Sequence, residues 1–253
     1  MSVRTEVKGR AFWITFDNPK RANAISIKIY DELCHAFDAA NAHENTIITV
    51  VTGVGNYYSS GNDFSPKEMA THDHANLDIE AGYSRFIRRI IMHRKVLIGL
   101  VNGPVMGVAC TTLGLFDYVV CSDSTYFLCP FTEIGVCCEG VSSVIFERIM
   151  GTSNAMEMLL FNEPISAENA LAREYVSRIF PKKKFVQRAT ELVEKYSKLP
   201  KHSMLVAKEV CRGQKWRRDI LASHNEEYDL LRKLFVDERT IELINRKYDK
   251  NKL

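Results

Sequence analysis

A single glutamate, Glu139, stands among small and weakly polar neighbours in the stretch Gly135-Val136-Cys137-Cys138-Glu139-Gly140-Val141-Ser142-Ser143. Where few groups solvate a carboxylate, its neutral form is favoured, its pKa rises and it can shuttle a proton near neutral pH. The same nine residues also describe a loop whose glutamate reaches into water. Two glycine turns precede it: Tyr58-Ser59-Ser60-Gly61-Asn62-Asp63-Phe64 and Asn102-Gly103-Pro104-Val105-Met106-Gly107. Glycine lets the backbone bend and lets a ligand approach without a Cβ in the way, although an ordinary turn uses the same residue.

The remaining chemistry-bearing residues make a weaker case. The seven cysteines (Cys34, Cys110, Cys121, Cys129, Cys137, Cys138 and Cys211) are odd in number and lack paired CxxC spacing, which fits a reducing compartment. Adjacent Cys137 and Cys138 read as small packing residues, and His72 with His74 as a solvated loop, so no metal is expected. Lys182-Lys183-Lys184 and the Lys215 to Arg218 stretch around Trp216 could meet phosphates but are also ordinary solvated faces.

The elements that must position these residues read as follows. Val3 to Val7 and Ala11 to Phe16 form a hairpin about Lys8-Gly9, closed by Asp17-Asn18-Pro19. A helix capped by Ser26 runs to about Ala42, with Ile29, Leu33, Ala36, Phe37 and Ala40 on one face. Thr46 to Thr52 is a β-branched run suited to a strand buried on both faces of a parallel sheet. A helix over 77–92, a strand over 96–101, a small-residue helix over 108–115 and a strand over 118–121 come next. Further helices are predicted over 142–150, 153–161, 167–173, 184–198, 204–211 and a long one over 219–245. The class is α/β with a helical C-terminal portion.

At 253 residues, 46% hydrophobic and 26% charged, the chain can bury a sizeable core. No apolar run approaches the ~20 residues of a membrane span, so membrane insertion is not expected. With 34 basic against 31 acidic side chains, the net charge of +3 does not point to nucleic acid.

Three ordered segments resemble the crotonase, or enoyl-CoA hydratase/isomerase, superfamily: Asn18-Pro19 with Asn23-Ala24, Ser59 to Asp63, and Asn102 to Val108. Tyr57 to Asp63, Leu113-Gly114-Leu115-Phe116-Asp117 and Cys138 to Ser143 are most similar to its peroxisomal Δ3,Δ2-enoyl-CoA isomerases. The resemblance implies one domain over 1–253: a spiral of ββα units over 1–195 and a helical trimerisation region over 196–253. It also implies trimers or hexamers and an acyl-CoA thioester as substrate, with CoA as part of that substrate and no separate cofactor. The pattern begins within the first ten residues, and no fused acyl-CoA-binding module is expected.

By the same resemblance, Glu139 is the catalytic carboxylate, and the backbone N–H groups of Asn62 and Val108 hold the thioester oxygen. Ser60, Gly61, Asp63, Phe64, Gly107, Ala22 and Ala24 are then substrate-binding residues, and Lys20 and Arg21 lie near the nucleotide. Hydratases of the family use two glutamates, and matching Gly107 and Gly135 to their pattern puts Thr111 and Phe131 at those positions. Neither can act as a base, and Glu133, two residues past the second position, reads as structural or solvated. One carboxylate suffices for a 1,3 proton shift that converts 3-enoyl-CoA to trans-2-enoyl-CoA.

Alternatives are a hydratase, a dienoyl-CoA isomerase, or a noncatalytic acyl-CoA or RNA-binding protein on the same scaffold. The C-terminal Asn251-Lys252-Leu253 is one residue from the Ser-Lys-Leu peroxisomal address. Import into the peroxisomal matrix by its receptor is therefore expected, with the mitochondrion as the alternative.

Overall fold

The computed structural model describes residues 2–65, 68 and 82–248. A six-stranded sheet forms one layer, in the order β1 (Val3–Lys8), β2 (Ala11–Phe16), β3 (Ile48–Gly53), β4 (Val96–Val101), β6 (Tyr118–Ser122) and β9 (Arg178–Phe180). The β1–β2 hairpin is antiparallel, and every later pairing is parallel. The expected burial of the β-branched run holds: Ile48, Thr49, Val50 and Val51 are all buried. Alternation sends side chains to two cores. Ile14, Phe16, Val51, Leu97 and Val101 join the main core, whereas Trp13, Val50, Ile98, Leu100 and Val120 pack with Phe185, Ala189, Leu192 and Val193.

A second, smaller ladder lies beyond the C-terminal ends of the parallel strands. It comprises β5 (Val105–Met106), β7 (Tyr126–Leu128) and β8 (Ile165–Ser166), and the isolated bridge of Ser59 to Val105 extends it. Ile25 pairs with Asn62 in the same manner. Each long strand thus leads to a short extended stretch and then a helix, which is the expected spiral of ββα units. The short strands and β9 have no counterpart in the sequence-based expectation, because two or three residues cannot display a period.

The helices are α1 (Ile27–Ala42), α2 (Gly82–Ile91), α3 (Gly107–Thr111), α4 (Ser142–Met150), α5 (Thr152–Leu160), α6 (Ala167–Ala172), α7 (Phe185–Ser197), α8 (Lys201–Cys211), α9 (Gln214–Phe235) and α10 (Glu238–Tyr248). Ser26 occupies the N-cap position of α1 with extended dihedrals, yet its hydroxyl makes no capping bond. The helix predicted over 77–92 is described from Gly82, and 77–81 lie outside the described residues. The small-residue helix is split: α3 gives way to a 3-10 turn over Thr112–Leu115. The single C-terminal helix expected over 219–245 is two, because Asp237 restarts the helix by accepting the Arg239 backbone N–H at 2.9 Å.

Among the described residues no helix is long and apolar enough to cross a membrane. His72, His74 and Asn251-Lys252-Leu253 lie outside them.

Candidate active site

The first glycine turn is fixed by side chains buried beneath it. Asn23 donates from its amide to the carbonyls of Val54, Tyr57 and Tyr58 at 3.0, 2.9 and 3.1 Å. The Ser59 hydroxyl donates to the Asn23 carbonyl and accepts the Gly61 N–H, at 2.8 and 3.1 Å. The second turn is tied to the first: Asn102 accepts the Gly53 N–H at 3.0 Å, and Met106 donates its N–H to the Ser59 carbonyl at 3.0 Å.

Both glycines are required by geometry. Gly61 has φ +79° and Gly107 φ +53°, and a Cβ on Gly61 would lie 2.7 Å from the Met106 carbonyl oxygen. The two turns therefore run in near-contact. In the bridge to Ile25, the Ile25 N–H donates to the Gly61 carbonyl at 2.8 Å and the Asp63 N–H to the Ile25 carbonyl at 3.0 Å. This pattern leaves the Asn62 N–H pointing away from the ladder. Val108 is the second residue of α3, where a helix has no internal acceptor for the N–H. The Asn62 side chain is held by the Tyr30 hydroxyl, which donates to its Oδ1.

A pocket of about 300 Å³ opens between the turns and the Glu139 segment. Ser60, Asn62, Phe64, Gly107, Val108 and Glu139 belong to its wall, and Phe131, Ile134, Val136, Leu231 and Phe235 make much of the rest apolar. Gly61, Asp63, Lys20, Arg21, Ala22 and Ala24 do not. Arg21 grips Asp63 through two contacts of 3.0 and 2.8 Å, and Lys20 is exposed. Ala22 accepts the Ser60 N–H at 2.9 Å, and Ala24 is buried beside that turn.

Glu139 is 3% exposed. One carboxylate oxygen accepts the Thr111 hydroxyl at 3.1 Å, and the other has no hydrogen-bond partner among the described residues. Burial pushes this carboxyl up to about 8; the Tyr83 hydroxyl beside it opposes the rise, the charge of Glu227 adds to it, and Thr111 opposes it again. Glu139 is the one carboxylate on the described pocket wall. Phe131, at one of the two hydratase positions, is a buried wall residue, and Thr111, at the other, is a hydrogen-bond donor to Glu139. Glu133 is more than half exposed and off the wall, and it pairs at 2.5 Å with Lys247, which is a wall residue.

The loop around Glu139 is held in an unusual shape. Gly140 has φ +70°, and a Cβ there would overlap the Thr111 hydroxyl. Val141 also adopts a left-handed conformation, φ 64°, which is costly for a β-branched residue. The Tyr83 hydroxyl accepts the Gly140 N–H at 2.8 Å, and Glu227 accepts the N–H groups of Val141 and Ser143 at 2.6 and 3.0 Å.

The sequence reading missed Tyr83 and Glu227, together with the wall residues Leu231, Phe235, Lys247 and Tyr248. A usable signal existed for Glu227: it shares the apolar face of α9 with Ile220, His224, Tyr228 and Leu231, and a carboxylate on a buried face needs a partner. The basic runs have local partners or face solvent. Lys182–Lys184 form an exposed 3-10 turn, Lys215 and Arg218 meet Asp219, Arg217 meets Glu209, and Arg212 lies over Trp216. Cys137 and Cys138 are half-buried free thiols.

The sequence profile of the family described as Enoyl-CoA hydratase/isomerase matches residues 6–244. Enoyl-CoA delta isomerase 2 of Rattus norvegicus is 36% identical over 234 residues, covering 91% of this chain and 59% of that protein. The peroxisomal enoyl-CoA delta isomerase 3 of Mus musculus is 37% identical over 203 residues, covering 79% and 63%. The chain thus spans about six tenths of the length of these two relatives. The crystal structure of an enoyl-CoA hydratase/isomerase from Pseudoalteromonas atlantica T6c superposes with a TM-score of 0.91 at 23% identity, covering 99% of this chain and 98% of that one, a likeness of fold.

Proposed function

This chain belongs to the enoyl-CoA hydratase/isomerase family, and on that premise we propose that it is a Δ3,Δ2-enoyl-CoA isomerase working through Glu139 alone. The observation that carries the proposal is a buried carboxylate on a largely apolar wall facing two glycine turns; among the described residues it is the one carboxylate of that wall, and one of its oxygens has no hydrogen-bond partner. The two relatives named as enoyl-CoA delta isomerases support it.

The thioester carbonyl of 3-enoyl-CoA would lie against the N–H groups of Asn62 and Val108. Ionised Glu139 removes a proton from C2, and the electron pair moves onto the thioester oxygen, where the two N–H groups stabilise the negative charge. As the enolate collapses, the C3–C4 double bond takes the same proton from Glu139 at C4, and the double bond comes to rest between C2 and C3. Nothing is oxidised or reduced, and the carboxylate is regenerated. The raised pKa suits both halves, since the group must accept a proton and then give it back.

Crossing Asn62, Gly107 and Val108 on one side and Glu139 on the other, the acyl chain would continue along Phe131, Ile134, Val136 and Leu231. Gly61 would stay beneath the thioester, with Ser60 and Phe64 at its flank. Lys20, Arg21, Ala22, Asp63 and Ala24 would meet the nucleotide end outside the pocket. CoA is substrate, and no separate cofactor takes part.

A coupled assay with 3-hexenoyl-CoA tests the reaction: formation of trans-2-hexenoyl-CoA is expected, and its absence in folded protein overturns the proposal. Crotonyl-CoA should keep its conjugated absorbance, because among the described residues the pocket wall carries no second carboxylate to activate water. Rapid formation of 3-hydroxyacyl-CoA would instead favour a hydratase. Assembly as a homotrimer or hexamer belongs to the same proposal, supported by the exposed Val206 and Val210 on α8, and sedimentation of the full chain checks it. So does a peroxisomal location, supported by the name of the mouse relative. The tagged chain should gather with a peroxisomal marker, and a diffuse or mitochondrial signal would contradict it.

A further inference from the structure

Glu227 lies far along the chain from the residues above and touches none of the pocket wall's reacting side, yet its carboxylate is buried with three donors around it. It accepts the Val141 N–H at 2.6 Å, the Ser143 N–H at 3.0 Å and the Ser143 hydroxyl. These donors begin two residues after Glu139 and include the start of α4, whose first N–H groups have no internal acceptor. The carboxylate offsets part of the cost of the left-handed Val141, beside the Ser142 hydroxyl, which donates to the Glu139 carbonyl at 2.7 Å. The turn at Gly140 and Val141 is what aims Glu139 at Thr111 and the pocket.

We propose that Glu227, supplied by the C-terminal helix α9, is the positioning residue for the base: it holds the Gly140–Ser143 turn so that Glu139 points into the pocket. This inference rests on the reading of Glu139 as the base. α9 is anchored independently of that turn. His224, one helical turn before Glu227, bonds Ser84 of α2 at 2.9 Å, and Arg88 of α2 donates to Asn225 at 2.6 Å. The position of the base is therefore referred to the packing of α9 against α2 and not to its own loop alone.

A second consequence is electrostatic. The titratable groups facing Glu139 are Tyr30 from α1, Tyr83 from α2, Cys129, Cys137 and Cys138 from its own side of the pocket, and Glu227 from α9. Burial holds the two tyrosines and the three thiols up, so they stay neutral near pH 7. Glu227 is the other carboxylate of the set; burial raises its own pKa, the Ser143 hydroxyl and the Ser143 and Val141 N–H groups oppose that rise, and in its ionised form its charge raises the pKa of Glu139. Catalysis requires the ionised base, so removing that charge moves the acid limb of kcat/KM to lower pH.

The experiment measures kcat, KM and the acid limb for Glu227→Gln, Glu227→Asp, Ser143→Ala and Glu139→Gln, with 3-hexenoyl-CoA and the full chain. A displacement of about 1 Å costs on the order of a hundredfold, so Glu227→Gln should lower kcat roughly ten- to hundredfold. Its KM should stay within about twofold, since this mispositioning leaves the thioester contacts intact. The acid limb should move to lower pH. Glu227→Asp keeps the charge and should recover part of kcat with the limb near its original place. Ser143→Ala removes one donor, leaves the fold intact and should lower kcat several-fold at unchanged KM.

Wild-type kcat in folded Glu227→Gln, or losses in Glu227→Gln and Ser143→Ala that match the loss of folded protein with an unmoved limb, would overturn the inference. If Glu227→Gln does not fold, Ser143→Ala alone decides, and an unchanged kcat in it counts against the proposal. The outcomes separate from the base assignment: an active Glu139→Gln refutes the base, whereas an inactive Glu139→Gln beside a fully active Glu227→Gln refutes only the positioning role.

Discussion

The two glycine turns and the Glu139 segment meet across one pocket, yet they are held by different means. The turns are extensions of the sheet. They follow β3 and β4 directly, sit in near-contact and are tied by backbone bonds and by three short side chains, Asn23, Ser59 and Asn102. The Glu139 segment has no strand to define it. It ends in two left-handed residues, Gly140 and Val141, and is fixed by Thr111, by Tyr83 from α2 and by Glu227 from α9. On the proposed mechanism, an electrostatic cradle made of backbone would belong to the sheet and be hard to retune, whereas a base held by side chains could have its direction and its pKa adjusted from outside the pocket.

That contrast can be broken from either side. The largest effect is expected from Glu139→Gln, which keeps shape and loses the proton acceptor: about a thousandfold or more in kcat, since a general base contributes roughly 10² to 10⁴. Turnover of 3-hexenoyl-CoA measures it, with acyl-CoA binding by calorimetry expected to persist. Next comes Gly61→Ala, whose Cβ would press on the Met106 carbonyl and move one N–H donor; roughly a hundredfold loss is expected in protein that still folds, measured in the same assay.

A smaller effect sharpens the electrostatic half. Because burial places the Glu139 carboxyl at about 8, kcat/KM should rise with pH through that value. Thr111→Val removes a hydrogen bond that favours the ionised form, so the limb should move to higher pH and kcat at pH 7 should fall several-fold. The stability sign follows from the same shift. Between the ordinary carboxylate range and about pH 8, the unfolded chain has released a proton that the folded chain keeps, so unfolding becomes easier as pH rises through that window. Glu139→Gln should therefore have a higher Tm than wild type near pH 8, and thermal unfolding at pH 5 and pH 8 checks that the difference narrows at low pH. The smallest effect is expected from Glu133→Gln, within about twofold in kcat, since that carboxylate is more than half exposed and lies off the pocket wall.

The same division explains what the sequence disclosed. Long strands and amphipathic helices are periodic, so β2, β3, β4, α1 and α7 stand close to their expected bounds. Gly61, Gly107 and Glu139 were legible because each belongs to a contiguous motif. Glu227 was not, because its partners Val141 and Ser143 lie more than eighty residues earlier and contact along the chain leaves no local signature. The break between α9 and α10 escaped notice because Val236-Asp237 continues the helical spacing, and only the side-chain cap of Asp237 reveals the stop. The pairing of Arg21 with Asp63, forty-two residues apart in sequence, likewise has no local signature.

The claim that one carboxylate both takes and returns the proton is tested most directly by isotope tracing in a single turnover. With 3-hexenoyl-CoA carrying deuterium at C2, reacted in ordinary water against excess enzyme, deuterium should appear at C4 of the trans-2-enoyl product. A buried Glu139 is shielded from exchange during the lifetime of the enolate. Complete loss of label to water, with none at C4, would contradict the account and require a separate acid.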